Sequence, residues 1–203
     1  KLKSLQQSTG ADYLYYSGGS ALNIKANTAI YESGIYRDVL IPPCPNDSGL
    51  SVGAGALLEW LKHGRVEKHP PYLNNWFLEP EQFSWNEQEM EQYARLLASG
   101  KVIGVVNGAG EAGPRALGNR SILARPDSVE LSRYVSRQLK GREWYRPLAP
   151  VILGENLLYF TGKKEVPRIS RYMLMEFDIK PERVKELAGV VHVDGTSRIQ
   201  TLA

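Results

Sequence analysis

At 203 residues and 42% hydrophobic content, the chain is long enough to bury a core and to form one or two domains. Its formal net charge of +3 is modest, which argues against a general nucleic-acid-binding protein, whose affinity depends on many phosphate contacts. Cys44 is the single cysteine, so an intramolecular disulfide framework is excluded and a reducing compartment is favoured.

No apolar run approaches the roughly 20 residues of a membrane-spanning helix, and the N-terminal residues lack the pattern of a signal peptide. We therefore expect a cytoplasmic protein without membrane contacts. Because the chain starts at Lys1 and stops directly after an apparent strand, we also expect it to be part of a longer protein.

The first third of the chain predicts a strand over residues 11–16, a turn with Gly18 and Gly19, and a helix over residues 21–33. Glycine before a helix allows backbone N–H groups at the helix start to face an anion, aided by the helix dipole. The alternative is that the turn needs glycine for steric reasons alone.

A second strand at residues 38–41 leads to a helix over residues 46–62, whose leucines and small residues predict a buried position. Asp47, at the start of this helix, has two interpretations. Either Asn46 or Asp47 caps the helix, which is the commoner role of these residue types. Alternatively, Asp47 is a ligand in a metal or phosphate site beside the glycine turn.

Residues 63–81 contain three prolines and keep no helix or strand period, which indicates a connecting segment between two units. His63 and His69 have no Cys or His neighbours at metal-binding spacing, so exposed linker histidines are the simpler interpretation.

The second unit is predicted to alternate helices and strands. In its second helix, Val129, Tyr134 and Val135 are expected to face inward. The expected helices are 86–99, 127–139 and 157–160, and the expected strands are 102–106, 120–124, 149–153, 172–178 and 190–201.

Basic residues concentrate in this unit, beginning at a small-residue turn. Glycine lets the backbone approach a ligand closely, proline fixes the entry angle, and arginine can bind two phosphate oxygens at once. The pattern therefore indicates an anion site, although a cationic outer face of a helix is the alternative. The basic residues are Arg115, Arg120, Arg125, Arg133, Arg137, Lys140, Arg142 and Arg146, opposed only by Asp127, Glu130 and Glu143.

The last predicted strand, residues 190–201, is interrupted by a hydroxyl-rich bend. Thr196, Ser197 and Arg198 can offer two hydroxyls and a guanidinium to one anion. His192 alternates with valines and is interpreted as a structural histidine rather than a base. Hydrolysis by a serine–histidine–aspartate triad finds little support, because no nucleophile elbow lies beside His192 in the sequence.

With these residues in view, the sequence resembles the O-carbamoyltransferases of nodulation-factor and antibiotic biosynthesis. The matching motifs occur in the family's order and cover nearly the whole chain, which strongly favours the anion site. They are SGGSALN at 17–23, DSG at 47–49, GPRALGNRS at 113–121, KGRE at 140–143 with RPLAP at 146–150, and HVDGTSRIQT at 192–201.

The resemblance implies an α/β fold, with the end of an actin-like ATPase-fold domain followed by a YrdC-like α/β domain with a twisted mixed sheet. It places the last part of the carbamoyl-transfer domain at residues 1–70, a linker at 71–81, and a truncated YrdC-like domain that forms carbamoyl-adenylate at 82–203. The remainder of the same polypeptide is an implied partner.

The resemblance also implies an ATP-dependent O-carbamoyltransferase. Such an enzyme makes carbamoyl-adenylate from carbamoyl phosphate and ATP, and it transfers the carbamoyl group to a hydroxyl of a small-molecule acceptor. The residues implied to bind carbamoyl phosphate and ATP are Arg115, Lys140, Arg142, Arg146, Thr196, Ser197 and Arg198, of which Arg115, Lys140 and Arg146 are implied to be catalytic.

In the first unit, Gly18, Gly19 and Asn23 are implied to bind a nucleotide and Asp47 to bind a divalent metal, namely iron, with Mg²⁺ accompanying the nucleotide. The family's His-x-x-x-His metal motif has no match in this sequence, so this metal site would be incomplete here. The alternative function is a non-catalytic YrdC-like module that binds a nucleotide or double-stranded RNA.

Overall fold

A computed structural model of the chain describes residues 1–68, 71–74, 86–143 and 145–202. Most of the predicted linker, His69 and Trp144 therefore lie outside the described residues. The α-helices are α1 (Leu2–Thr9), α2 (Ile24–Glu32), α3 (Gly49–His63), α4 (Glu87–Ala98), α5 (Val129–Tyr134) and α6 (Leu157–Thr161). The strands are β1 (Tyr13–Tyr15), β2 (Asp38–Leu40), β3 (Tyr72–Asn74), β4 (Ile103–Val106), β5 (Gly110–Glu111), β6 (Arg120–Leu123), β7 (Val151–Leu153), β8 (Phe177–Asp178), β9 (Thr196–Ser197) and β10 (Gln200–Leu202).

The strands pair two by two. β1 with β2 and β7 with β10 are parallel, whereas β3 with β5, β4 with β6 and β8 with β9 are antiparallel. This mixture of helices and strands confirms the α/β class. Across the part of the chain that the structure describes, no pair joins another into a larger sheet, so the YrdC-like twisted sheet stays a prediction.

One hydrophobic core contains residues from both predicted units. Val39 of β2 packs in the same buried cluster as Leu157 and Leu174. The side chain of Asn27, which is fully buried in α2, donates from Nδ2 to the carbonyl oxygens of Ala21 and Leu174 at 2.8 Å each. Because buried amides need such partners, α2 is fixed against the C-terminal part of the chain. The domain boundaries themselves stay a prediction.

Helix α3 corrects one expectation. No residue of this helix is buried, and Leu50 is 73% exposed, so the predicted burial is wrong. The apolar pattern identified a helix, but the face it marks meets no covering surface among the described residues. The predicted caps are wrong as well, because Ser48 is the N-cap and makes no side-chain capping bond. No helix in the described ranges is long and apolar enough to cross a membrane.

The predicted helix over 127–139 consists of α5 followed by a π-helical turn, Val135–Leu139. Val135 is 1% exposed, as expected, but Val129 and Tyr134 are exposed and the prediction for them is wrong. Successive residues of an α-helix are about 100° apart around the axis, so Val129, Tyr134 and Val135 point in three different directions and could not all face inward. The turn closes with the Lys140 N–H donating to the Val135 carbonyl oxygen at 3.0 Å, which places Lys140 at the exit.

The strand expected over 172–178 is confined to β8. Residues Arg168–Tyr172 form a 3₁₀ helix that ends at Met173, whose φ is 56°. The strand expected over 190–201 forms only in its last part: residues 190–195 form no strand, and Thr196 and Ser197, expected in the bend, form β9, with Arg198 between β9 and β10. β10 pairs with β7, so Arg198 is presented from one end of a two-stranded ladder.

Candidate functional site

The loop between β5 and β6 brings Arg115 to the site. A Cβ atom added at Gly113 would lie 2.6 Å from the Pro43 carbonyl oxygen, and φ of Gly113 is 126°. Only glycine allows this close approach of two backbone segments in that conformation. The loop is thereby packed against the segment that follows β2, and its direction after Pro114 is fixed.

Glu111, the last residue of β5, holds this loop, and no role was predicted for it from the sequence. Its Oε1 accepts hydrogen bonds from the backbone N–H groups of Leu117 at 2.6 Å, Asn119 at 2.9 Å and Arg120 at 3.1 Å. Burial alone would raise the pKa of Glu111, but these N–H donors outweigh burial and the pKa lies below its ordinary value. The only feature of the sequence that points to this role is the position of a glutamate directly before a glycine-rich turn.

Arg120, which is part of the basic run, supports the same loop. Its Nη1 donates to the carbonyl oxygens of Asn107 and Asn119, and its Nη2 donates to that of Gly108 at 2.9 Å. Its guanidinium therefore holds the glycine turn together rather than facing a ligand.

The exit of the π turn supplies two more cations. The N–H of Arg142 donates to the Ser136 carbonyl oxygen at 3.0 Å, and Nη2 of Arg142 donates to Ser136 Oγ at 3.4 Å. Gly141, between Lys140 and Arg142, has a φ of 56°, a left-handed conformation that lets the chain reverse directly after the turn. Lys140 and Arg142 are thus fixed by backbone bonds to the helix that precedes them.

A tight turn before β9 supports Arg198. The Oγ1 of Thr196 donates to Asp194 Oδ1 at 2.7 Å, and Nδ1 of His192 lies 3.0 Å from the same hydroxyl. Asp194 Oδ2 accepts a hydrogen bond from Lys25 Nζ of α2 at 2.6 Å. These bonds give His192 and Thr196 structural roles, and burial, as the largest cause, lowers the pKa of His192.

Arg115, Lys140, Arg142 and Arg198 line one cavity of about 610 Å³. Among the described residues of its wall there is no aspartate or glutamate. The Nε atoms of Arg115, Arg142 and Arg198 are buried and have no hydrogen-bond partner. Buried donors normally have partners, so three unpaired donors on side chains that line one cavity indicate a place for an acceptor-rich ligand.

The charges of these side chains act on one another. Burial first, and then the positive charges of Arg115 and Arg142, lower the pKa of Arg198 to about 10. Partial burial, followed by the charges of Arg142 and Arg198, lowers the pKa of Lys140. Burial also lowers the pKa of Arg115 and of Arg142. The charge of Glu143 partly offsets this effect on Arg142, but no acidic side chain lies among the described residues of the cavity wall, which is the electrostatic condition of an anion site.

Three of the predicted ligand residues do not line this cavity. Arg146 is 57% exposed at its side chain and forms an ion pair with Glu143, Nε to Oε2, at 2.9 Å. Thr196 and Ser197 are buried, and their hydroxyls donate to Asp194 Oδ1 and to the Val190 carbonyl oxygen at 2.9 Å. The structure therefore brings together four of the seven predicted residues, from three separate segments.

The first predicted unit shows a different arrangement. Gly18 begins a 3₁₀ helix with Gly19, and its N–H donates to the Pro45 carbonyl oxygen at 2.7 Å. Asn23 is the N-cap of α2 and accepts a hydrogen bond from the Ala26 N–H at 3.1 Å. The predicted nucleotide roles of these residues are not tested by these contacts.

A metal centre at Asp47 does not fit the residues present. Asp47 is exposed, and within the described ranges no group of three or more His, Cys, Asp or Glu side chains could hold a metal ion. A protein metal site usually needs three or four such ligands. We therefore derive no chemical step through iron.

Comparisons with known proteins agree with these features. The family model described as "Carbamoyltransferase C-terminus" matches residues 94–203, and the model described as "Carbamoyltransferase N-terminus" matches residues 1–56. The first match contains Arg115, Lys140, Arg142 and Arg198. The two matches also cover both sides of the contact between α2 and the C-terminal part of the chain.

The curated relatives include several nodulation proteins. Nodulation protein U of Rhizobium tropici is 36% identical over 96% of this chain and 34% of its own length. Nodulation protein U of Azorhizobium caulinodans is 35% identical over 94% of this chain and 34% of its own length. Nodulation protein NolO of Bradyrhizobium diazoefficiens is 33% identical over the whole chain and 40% of its own length. The chain thus spans 34–40% of the length of these relatives, and from the two family matches we conclude that it belongs to the carbamoyltransferase family.

Proposed function

We propose that this chain contains the part of a carbamoyltransferase that binds ATP and carbamoyl phosphate and forms carbamoyl-adenylate. In the complete protein, the carbamoyl group is then transferred to a hydroxyl of a small-molecule acceptor. The observation that supports this proposal most strongly is the convergence of Arg115, Lys140, Arg142 and Arg198 on one cavity without an acidic neighbour among the described wall residues.

The size and lining of the cavity suit a nucleotide better than a simple phosphate ion. Its volume of about 610 Å³ lies within the usual range of small-molecule sites, roughly 300–1,000 Å³. Beside the cations, its wall includes apolar side chains such as Leu97, Phe160 and Leu187. A ligand with a polyphosphate and a flat, largely apolar base satisfies both parts of this lining.

The chemistry explains why so many unpaired cations are useful. Water first cleaves carbamoyl phosphate to carbamate and inorganic phosphate. A carbamate oxygen then attacks the α-phosphorus of ATP, the bond to the β-phosphate oxygen breaks, and pyrophosphate leaves with the bonding electrons. Negative charge accumulates throughout, and fixed cations lower that repulsion without reorganising during the reaction.

Individual roles follow from position. Arg198 is the most deeply buried of the four cations, and we assign it to the group that carries most charge in the transition state, the α-phosphate. Arg115 and Arg142 bind the flanking phosphate oxygens, since guanidinium can bind two oxygens at once. Lys140, which is the most accessible, binds the leaving pyrophosphate. Thr196 and Ser197 support Arg198 rather than touching the ligand.

The test has two parts. Isothermal titration calorimetry of ATP into the 203-residue chain measures binding, with Arg115→Gln as the variant that is expected to weaken it at least tenfold. Phosphorus-31 NMR of the intact protein with ATP, Mg²⁺ and carbamoyl phosphate then detects pyrophosphate and carbamoyl-adenylate. Binding without any adenylate contradicts the enzymatic proposal and favours a non-catalytic nucleotide-binding module.

A further inference from the structure

The other cations of the cavity repel the guanidinium of Arg115, so the position of this side chain depends on how its backbone is held. Its charge lies close enough to Arg198 to lower the pKa of that residue, and the buried Nε of Arg115 has no hydrogen-bond partner. Like charges in a partly buried site repel each other. In the absence of a ligand, this repulsion favours movement of the Arg115 guanidinium out of the cavity. The hydrogen bonds that hold its loop resist this movement.

Glu111 provides most of that fastening. Residues 112–119 form no helix or strand, so no ladder of backbone bonds holds them. Glu111 Oε1 instead accepts from three N–H groups at the far end of the loop, at 2.6 to 3.1 Å. One carboxylate oxygen thus joins the strand before the loop to the first residue of the strand after it.

Other bonds also support this loop. The Leu117 carbonyl oxygen accepts from Tyr72 Oη at 3.1 Å and from Gln200 Nε2 at 3.3 Å, and the Gly118 N–H donates to Ser121 Oγ at 3.0 Å. The side chains of Asn119 and Arg120 hold the end of the loop next to β6. Hydrogen bonds to an ionised acceptor are roughly twice as strong as neutral ones. We therefore expect the carboxylate of Glu111 to contribute most at Leu117, which is the residue nearest to Arg115 in the chain among those it bonds.

We propose that Glu111 is a positioning residue, which holds Arg115 in the anion cavity against the repulsion of the other cations. This inference rests on the proposed function of the cavity. Glu111 does not line the cavity, and its Oε1 is bonded to three backbone N–H groups, so no direct contact with the ligand is assigned to it. Its effect on binding is expected to pass through Arg115 alone.

A double-mutant cycle tests this dependence, with inorganic pyrophosphate as the probe and calorimetry on the 203-residue chain as the readout. Glu111→Gln keeps the shape of the side chain but removes its charge, and we expect it to weaken pyrophosphate binding about tenfold. In an Arg115→Gln background, the same change is expected to alter binding less than twofold. Glu155→Gln, at an exposed position outside the loop, is the matched control and leaves binding unchanged.

Each outcome decides the inference. A tenfold loss from Glu111→Gln that persists in the Arg115→Gln background indicates general damage and overturns it, and so does unchanged binding in Glu111→Gln. If Arg115→Gln alone leaves pyrophosphate binding unchanged, or the unaltered chain binds none, the proposed function fails and the inference with it. If Glu111→Gln does not fold, as judged by circular dichroism, Glu111→Asp replaces it, since the shorter carboxylate cannot reach all three N–H groups.

Discussion

Arg115 and Arg198 come from distant parts of the chain and share one cavity, where burial and then the charge of Arg115 lower the pKa of Arg198 to about 10. Arg142 acts on Arg198 in the same direction. A protein gains no stability from such an arrangement, because each cation is partly removed from water and placed beside another. Function therefore explains it better than folding does.

Arg198→Gln is expected to stabilise the ligand-free chain. The shift from 12.5 to about 10 corresponds to about 3 kcal/mol against the charged form. Because the folded-state pKa is the lower one, this penalty is fully present below about pH 10 and falls only as the pH rises through that value. Lost contacts offset part of it, so we expect a net gain of about 1 kcal/mol, a rise in Tm of roughly 3 °C.

Arg198→Gln also distinguishes the contribution of Arg198 to the stability of the fold from its contribution to ligand binding. Thermal unfolding at pH 7 is measured with and without pyrophosphate. Pyrophosphate is expected to raise the Tm of the unaltered chain and to have little effect on Arg198→Gln. A variant that is less stable without ligand, yet still stabilised by pyrophosphate, shows that Arg198 has a structural role only.

Lys140→Ala is expected to reduce carbamoyl-phosphate-dependent ATP turnover of the intact enzyme more than tenfold. A cation that meets the leaving pyrophosphate contributes to the transition state, and loss of such a group commonly costs on the order of 3 kcal/mol. Turnover is followed as pyrophosphate release, with the exposed Lys101→Ala as the control. Turnover within about twofold of the unaltered enzyme shows that the role of Lys140 is wrong.

Arg142 and Arg146 allow the removal of a cation in the cavity to be compared with the removal of a cation on the surface. Arg142 lines the cavity, whereas Arg146 is exposed and paired with Glu143. Arg142→Gln is expected to weaken ATP binding about tenfold and Arg146→Gln less than threefold, because a screened surface charge acts weakly. Calorimetry at 0.15 M salt measures both. Equal losses of ATP affinity in the two variants contradict this difference and indicate that Arg146 also binds the ligand.

Asp194→Asn is expected to lower the Tm more at pH 7 than at pH 3. The bond from Lys25 is the largest cause that lowers the pKa of Asp194, followed by the bonds from Thr196. Because the folded-state pKa is depressed, the carboxylate stabilises the fold fully above its ordinary pKa of about 4, and this stabilisation declines as the pH falls from there towards the lower folded-state pKa. The exposed Asp178→Asn is the control. A Tm difference that stays constant between pH 7 and pH 3 contradicts the role of this carboxylate.

Sequence patterns predicted most elements of this fold, because strand propensity, glycine turns and helix caps act locally. The helix at 86–99 is an example, since Asn86 and Glu89 form a capping box at its start. Side-chain direction was predicted less well. The inward face of α5 was predicted wrongly because Val129, Tyr134 and Val135 do not share one face of a helix, and α3 shows that an apolar stripe does not reveal what covers it.

The type and spacing of the basic residues predicted a cationic site, but only the structure shows which of these residues line the cavity. Charge and spacing marked both Arg142 and Arg146, and only the structure shows that Glu143 pairs with Arg146 outside the cavity. The hydroxyls of Thr196 and Ser197 suggested ligand contacts, yet they complete local turns and strands. Glu111 was missed because its partners are backbone N–H groups, which leave no pattern in a sequence.

A crystal structure of the chain soaked with a non-hydrolysable ATP analogue tests most directly whether the cations of the cavity bind a nucleotide. We expect density for the phosphates within hydrogen-bond distance of Arg115, Lys140 and Arg198. Density confined to the turn at Gly18 and Gly19, with the cavity filled only by water, would contradict it.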